Sequence, residues 1–230
     1  MKKLFRFIFA LILVILLCIT TLGYIEYKTV LVDNPLESKI SEIQTKKNYV
    51  HIEDVSEYLL KATVSTEDQR FYEHNGIDYI AYGRILYTII TTGELNSGGS
   101  TISQQLAKNM YFGFEPSLIR KVAELFMTND IENKYSKDEI LELYINIINF
   151  GDNHMGIYEA STGYFNKHPK NLSFNEATLV AGIPQSPSNY QLSNHSDMAY
   201  RRQKVVLQTL IDTGVYTQEE IDELMKRING

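Results

Sequence analysis

Residues 98–109 read GGSTISQQLAKN, a Gly-Gly turn that opens a helix. Thr101, Gln104, Gln105 and Lys108 fall at i, i+3, i+4 and i+7 and so share one stripe of that helix. Ile102, Leu106 and Met110 lie on another side, available to a core. Two amides and one lysine suit a cleft that binds hydroxyls and an anion better than they suit bulk solvent. Thirty residues upstream, EDQRFYEHNG at 67–76 places a Glu-Asp pair, an aromatic, a His and a Gly where a helix gives way to a turn. Capping boxes recur along the chain. Thr101-x-x-Gln104 is one; Ser136-x-x-Glu139, Ser173-x-x-Glu176 and Thr217-x-x-Glu220 are others. Pro116 suits the first turn of a helix that runs on through Glu124. The periodicity predicts helices near 54–66, 77–92, 100–111, 116–134, 137–148, 155–166, 174–182, 196–213 and 218–228. Alternating strand patterns are hard to find, so the expected class is mainly α. Residues 26–50 read as a membrane-proximal stalk with little pattern and room for a short strand.

Phe7–Ile25 is nineteen residues without a charge, long enough to cross a hydrocarbon core as a helix. Lys2, Lys3 and Arg6 precede it, while Glu26, Asp33 and Glu37 dominate its C-terminal flank. That asymmetry predicts a single-pass cell-membrane protein with a cytoplasmic N-terminus and an extracellular domain. The rival reading is a cleavable signal peptide, for which Thr21-Leu22-Gly23 is a poor cleavage site. Cys18 is the only cysteine and lies inside the apolar segment, which excludes an intramolecular disulfide and a cysteine-based metal site. The net charge of −6 offers no basic field for nucleic acid. Anion-binding character is local, around Lys108, Arg120 and Lys121.

The 67–76 and 98–109 blocks resemble the first two motifs of the peptidoglycan glycosyltransferases, family 51 of the glycosyltransferases. Arg120-Lys121-Val-Ala-Glu124 is similar to the third motif, and Lys137-Asp-Glu-Ile140-Leu141-Glu142-Leu-Tyr144-Ile-Asn146 to the fourth. Phe150-Gly151, Gly156-Ile157, Glu159-Ala160, Tyr164-Phe165 and the stretch Ala181–Tyr190 come next in the family's order, so the resemblance covers roughly 50–210. It implies a lysozyme-like helical fold with two lobes around a groove, behind the transmembrane helix. The expected organisation is 1–25 cytoplasmic N-terminus and anchor, 26–50 stalk, and 51–230 glycosyltransferase domain. Neither Ser-x-x-Lys nor Lys-Thr-Gly of a penicillin-binding module occurs, so the chain resembles the monofunctional members.

Joining a sugar hydroxyl to an anomeric carbon that bears a lipid pyrophosphate needs a base for the hydroxyl and cations for the leaving group. The resemblance places the catalytic base at Glu67, and makes Glu124 the second catalytic carboxylate. Glu124 would orient donor groups, steady the pyrophosphate or help hold a divalent cation. Arg120 stands four residues before it, spaced for an ion pair. On the substrate side stand Asp68, Phe71 and His74, with Phe71 suited to packing and His74 to an architectural part. Ser100, Thr101, Gln104, Gln105, Lys108 and Asn109 join them, and Arg120 and Lys121 extend the cationic patch. Lys108, a compact point charge at the end of the stripe, is the leading pyrophosphate ligand. Hydroxyls and free N–H groups at the helix start favour the same anion. No metal site is expected from the residues, and no tightly bound cofactor; a loosely held Mg2+ or Mn2+ bridging the pyrophosphate is compatible with them. Two positions depart from the family: Pro116 where relatives often carry a basic residue, and Met155 where they often carry Tyr. Ile77–Thr92 holds more apolar and aromatic residues than one helical face, and Tyr111, Phe112 and Phe114 add a second cluster. Core packing accounts for most of these, with some free to dip into the outer leaflet.

The residues and the resemblance together predict a membrane-anchored, inverting enzyme that polymerises lipid II into β-1,4-linked glycan strands. Its partners would be lipid II, the growing lipid-linked glycan, the membrane, and penicillin-binding or other wall-synthesis proteins. A lysozyme-like glycan hydrolase and a catalytically weak lipid II-binding scaffold are the alternatives.

Overall fold

A computed structural model of the chain describes residues 1–93, 98–113 and 115–226; Phe114 and the end of the last expected helix lie outside the described residues. The helices, in chain order, are α1 (Lys2–Asp33), α2 (Leu36–Gln44), α3 (Glu57–Glu67), α4 (Tyr79–Thr92), α5 (Ile102–Tyr111) and α6 (Leu118–Lys134). Then come α7 (Lys137–Ile147), α8 (Ile157–Phe165), α9 (Phe174–Ala181), α10 (Pro187–Tyr190), α11 (Leu192–Asp212) and α12 (Gln218–Lys226). Among the described residues there is no strand, only a bridge between Asn149 and Met155. The chain is mainly α, as its patterning predicts.

Helix starts have local causes. Thr101, Ser136 and Ser173 each form a reciprocal capping box with the residue three places on. Thr217 does the same with Glu220. The Asp78 carboxylate accepts the Ile80 and Ala81 N–H groups and starts α4, and Gly93 ends it with φ 73°, open to glycine at little cost. Helix α6 begins two residues later than Pro116 suggests, because Ser117 takes the cap and accepts the Arg120 N–H. Helix α11 begins at Leu192, ahead of the expected 196, and carries a break at His195.

Two stretches differ more. Residues 26–50 are mostly helical, and Tyr27, Leu36, Ile40 and Ile43 are buried in the core rather than strung along a stalk. Helix α4, expected to be mostly core, has no buried residue: Tyr79, Tyr87 and Ile90 are each at least 70 % exposed. Its run of apolar side chains outnumbers the faces that neighbouring elements cover, and the surplus lies on the surface.

The core centres on α7, whose Ile140, Leu141, Leu143, Tyr144 and Ile145 are all buried. Helices α5 and α6 pack beside it, α3, α9 and α11 form an adjoining group, and α1 runs along α6. Glu142 and Asn146 on α7 clamp the segment that leads into α3. Glu142 accepts from the Tyr49 hydroxyl at 2.5 Å and from the Ile52 N–H at 2.7 Å. Asn146 pairs with both the N–H and the C=O of Val50 at 2.8 Å. Glu142→Ala leaves the Ile52 N–H and the Tyr49 hydroxyl without their acceptor, at about 1–3 kcal/mol. A thermal melt should show the corresponding fall in Tm; an unchanged Tm would remove the clamp from the account.

Candidate active site

Glu67 is the last residue of α3, where Asp68 leaves helical geometry. Its half-buried carboxylate accepts from Gln105 Nε2 at 2.8 Å. The other end of that amide, Gln105 Oε1, accepts from the Tyr144 hydroxyl at 3.1 Å. Tyr144 is fully buried on α7, so a rigid core residue sets which face of the amide meets Glu67. Burial raises the Glu67 carboxyl above the ordinary range; the Gln105 hydrogen bond and the charge of Arg202 pull it back, and Asp68 adds to the rise. Burial beside Glu67 and Asp68 also holds the Tyr144 phenol well above its usual value, which keeps it a donor.

The rest of the 67–76 block joins the two motifs. Asp68 accepts from the Ile102 N–H at 3.0 Å and from His74 Nε2 at 2.9 Å. His74 Nδ1 accepts the Gly76 N–H, which assigns the remaining ring proton to Nε2. Thr101 Oγ1 donates to the Gly76 carbonyl at 2.7 Å. Gly76 sits at φ 82°, and a Cβ there would stand 2.7 Å from Thr128. Most side chains of the two blocks are thereby engaged within the protein, with Phe71 packing and His74 bracing as the sequence suggests. Phe71 has no exposed surface and packs in the core; His74 and Thr101 are spent on the link; and Gln104, also fully buried, accepts from the Thr101 N–H and the Tyr82 hydroxyl. Asp68 likewise holds backbone and His74, and Asp68, Thr101 and Gln104 also border the cavities around Glu67.

Glu67 lies where two cavities meet. One, of about 430 Å3, is lined by Thr66, Glu67, Ser100, Gln105, Lys108, Gln185 and Arg202 among others. The other, of about 320 Å3, runs under α4 past Arg84 and Gly98–Thr101. A third, of about 370 Å3, shares Gln105 and Lys108 and continues along Asn109, Asn149 and Ser186–Ser188. The three adjoining cavities therefore bring Glu67, Asp68, Ser100, Thr101, Gln104, Gln105, Lys108 and Asn109 to one groove.

Glu124, 1 % exposed, stands between two cations: Arg120 Nε at 3.2 Å, without hydrogen-bond alignment, and Lys121 Nζ at 3.0 Å. Lys121 also donates to Ser100 Oγ at 3.0 Å. Both Glu124 oxygens face guanidinium or ammonium, which suits holding a cationic wall rather than accepting a proton. Burial lowers the Lys108 ammonium pKa, Glu124 raises it, and Arg120 and Lys121 add to the lowering.

Arg202 on α11 was not legible from the motifs. It lines the Glu67 cavity from across the groove, and its Nε is buried without a partner, as are Thr66 Oγ1 and Gln104 Nε2. Gly182 makes room for its stem: a Cβ there would sit 2.9 Å from Arg202 Cγ. Arg202 and Glu67 share this cavity although they stand 135 positions apart, beyond any helical spacing. The closing segment contributes Pro184 and Gln185 to the same wall.

Asp68, His74 and Asp78 bring three ligating atoms within 4.8 Å. They do not fit a divalent ion. Arg70 already pairs with both Asp78 oxygens, at 3.0 and 2.8 Å, and His74 Nδ1 is taken by a backbone N–H.

Residues 36–211 match the family described as Transglycosylase. Penicillin-binding protein 1A of Aquifex aeolicus (strain VF5) is 37% identical over 182 residues, 79% of this chain and 25% of that protein. Penicillin-binding protein 1A of Escherichia coli (strain K12) is 38% identical over 174 residues, 76% of this chain and 20% of that protein. Penicillin-binding protein 2D of Bacillus subtilis (strain 168) is 40% identical over 191 residues, 82% of this chain and 28% of that protein. The chain thus spans between 20% and 28% of the length of these relatives. The order of the motifs and the extent of these matches lead to one conclusion: the chain belongs to the transglycosylase family, and residues 36–211 are a peptidoglycan transglycosylase domain, a glycosyltransferase.

Proposed function

We propose that this protein is a membrane-anchored polymerase that joins lipid II into β-1,4-linked glycan strands with inversion at the anomeric carbon. The observation that carries the reading is Glu67: a half-buried carboxylate with a raised pKa, hydrogen-bonded through Gln105 to Tyr144, facing Lys108 and Arg202 across one cavity. Glu67 takes the proton from the acceptor sugar's hydroxyl as its oxygen attacks the donor anomeric carbon. The new C–O bond forms as the bond from that carbon to the pyrophosphate oxygen breaks on the opposite face, which inverts the centre. The departing charge meets Lys108, and the Arg120–Glu124–Lys121 cluster extends the positive wall. Glu124 acts by holding those cations. Lys108, Arg202 and this cluster favour a pyrophosphate leaving group over simple hydrolysis, in which no such anion departs.

The apolar helix α1 supports a retained anchor with the N-terminus in the cytoplasm. Its 32 residues extend about 48 Å at 1.5 Å per residue, more than the roughly 30 Å of a hydrocarbon core. The exposed apolar face of α4 suits contact with the outer leaflet.

The test is incubation of purified full-length protein with labelled lipid II, resolving products on a gel. A ladder of long glycans is expected. Shortening of preformed glycan would assign a hydrolase, and binding without turnover a scaffold.

A further inference from the structure

The end of α1 is built into the site helix. Gly23 and Tyr27 are buried, although most of α1 is exposed. A Cβ on Gly23 would lie 2.6 Å from Val122 Cβ and 3.0 Å from the Ile119 carbonyl, both on α6. One turn on, the Tyr27 ring stacks on Phe126 at 5.6 Å and its hydroxyl donates to Asp130. Tyr24 meets the same Phe126 edge-on at 5.3 Å. Glycine inside a helix costs about 1 kcal/mol against alanine, so its use here needs a packing reason, and Val122 supplies it. Ile119, Val122, Phe126 and Asp130 thus form the anchor face of α6. From other faces of the same helix, Ala123 and Met127 enter the core, and Arg120, Lys121 and Glu124 make the cationic wall. A tether needs none of this; a flexible segment would serve.

We infer that Gly23, Tyr27 and Asp130 are positioning residues for the cationic wall: the anchor helix sets where α6 stands, and so where Arg120, Lys121 and Glu124 meet the leaving pyrophosphate. The inference rests on the functional reading above. A packed helix moves as a unit, so a displacement imposed at Val122 reaches Lys121 and Glu124 within the same turn.

The experiment uses the full-length protein and lipid II in detergent micelles, where sharing one bilayer no longer concentrates enzyme and substrate. Gly23→Ala should lower kcat about tenfold, since displacements near 1 Å can cost up to a hundredfold. The acid limb of its pH–rate profile should stay in place, because Glu67 sits on α3. Adding Val122→Gly should restore the rate, and Leu16→Ala, on the exposed side of α1, should change nothing. Helix propensity alone predicts the opposite sign for Gly23→Ala, a gain in stability without loss of rate. A wild-type kcat for Gly23→Ala overturns the inference, and so does a loss that moves the acid limb or that Val122→Gly leaves uncorrected. If Gly23→Ala does not fold, Tyr27→Phe decides: it keeps the ring and removes the bond to Asp130, and an unchanged kcat overturns the inference. Wild-type protein inert towards lipid II would instead sink the functional reading and this inference with it.

Discussion

Glu67→Gln should abolish polymerisation of lipid II, with a loss of about 10²–10⁴ in rate, the usual contribution of a positioned base. The amide keeps the shape of the side chain and its contact with Gln105 but cannot take a proton. Binding of a lipid II analogue should survive within a few-fold. The raised pKa adds two further expectations. A base works only when ionised, so the wild-type rate should fall on the acid side through a pKa above the ordinary carboxylate value of 4.5. Stability runs the other way. A carboxyl whose folded pKa is raised stabilises the fold below its unfolded pKa, and that contribution is lost as pH rises through the folded one. At neutral pH Glu67 is therefore a cost, and Glu67→Gln should melt no lower than wild type, with any gain shrinking as pH falls. Near wild-type turnover of the Gln variant would move the base elsewhere. Glu124 is a poor substitute, since both its oxygens face cations.

Lys108→Ala is the second large effect. It should weaken pyrophosphate-bearing ligands far more than the same sugars without pyrophosphate, by roughly 1.5–3 kcal/mol for a charged hydrogen bond. Inhibition by a phosphoglycolipid of the moenomycin type, which mimics the donor, should weaken in parallel. Titration of the two ligand sets against wild type and variant checks this. Equal losses on both would make Lys108 a structural residue, holding α5 against its neighbours.

How far the residues could be read in advance depends on the range of each interaction. Ile102, Leu106 and Met110 entered the core as their i, i+4, i+8 spacing requires. The four capping boxes formed because each is a contact between residues three apart. The Arg120–Glu124 pair was likewise legible as a local spacing. The stretch 26–50 was harder. Leu36, Ile40 and Ile43 do recur at i, i+4 and i+7, but so short a run becomes a helix because α7 packs against it.

Spacing along a helix states which side chains share a face and is silent about what stands opposite. Thr101 and Gln104 share the polar stripe with Gln105 and Lys108, yet Thr101 bonds to the Gly76 carbonyl and Gln104 to the cap, while Gln105 reaches across to Glu67. The apolar run of α4 reads alike for core and for lipid, because hydrophobicity registers exclusion from water and not the medium that replaces it. By itself the sequence specified most of the helices, their caps and the apolar N-terminal segment, all local patterns, while Glu67 and Lys108 were singled out by the resemblance of whole motifs. Tertiary packing alone brought Arg202 to Glu67, set Tyr144 behind Gln105 and laid α1 along α6. Those contacts join residues tens of positions apart, and their geometry exists only once the core has formed.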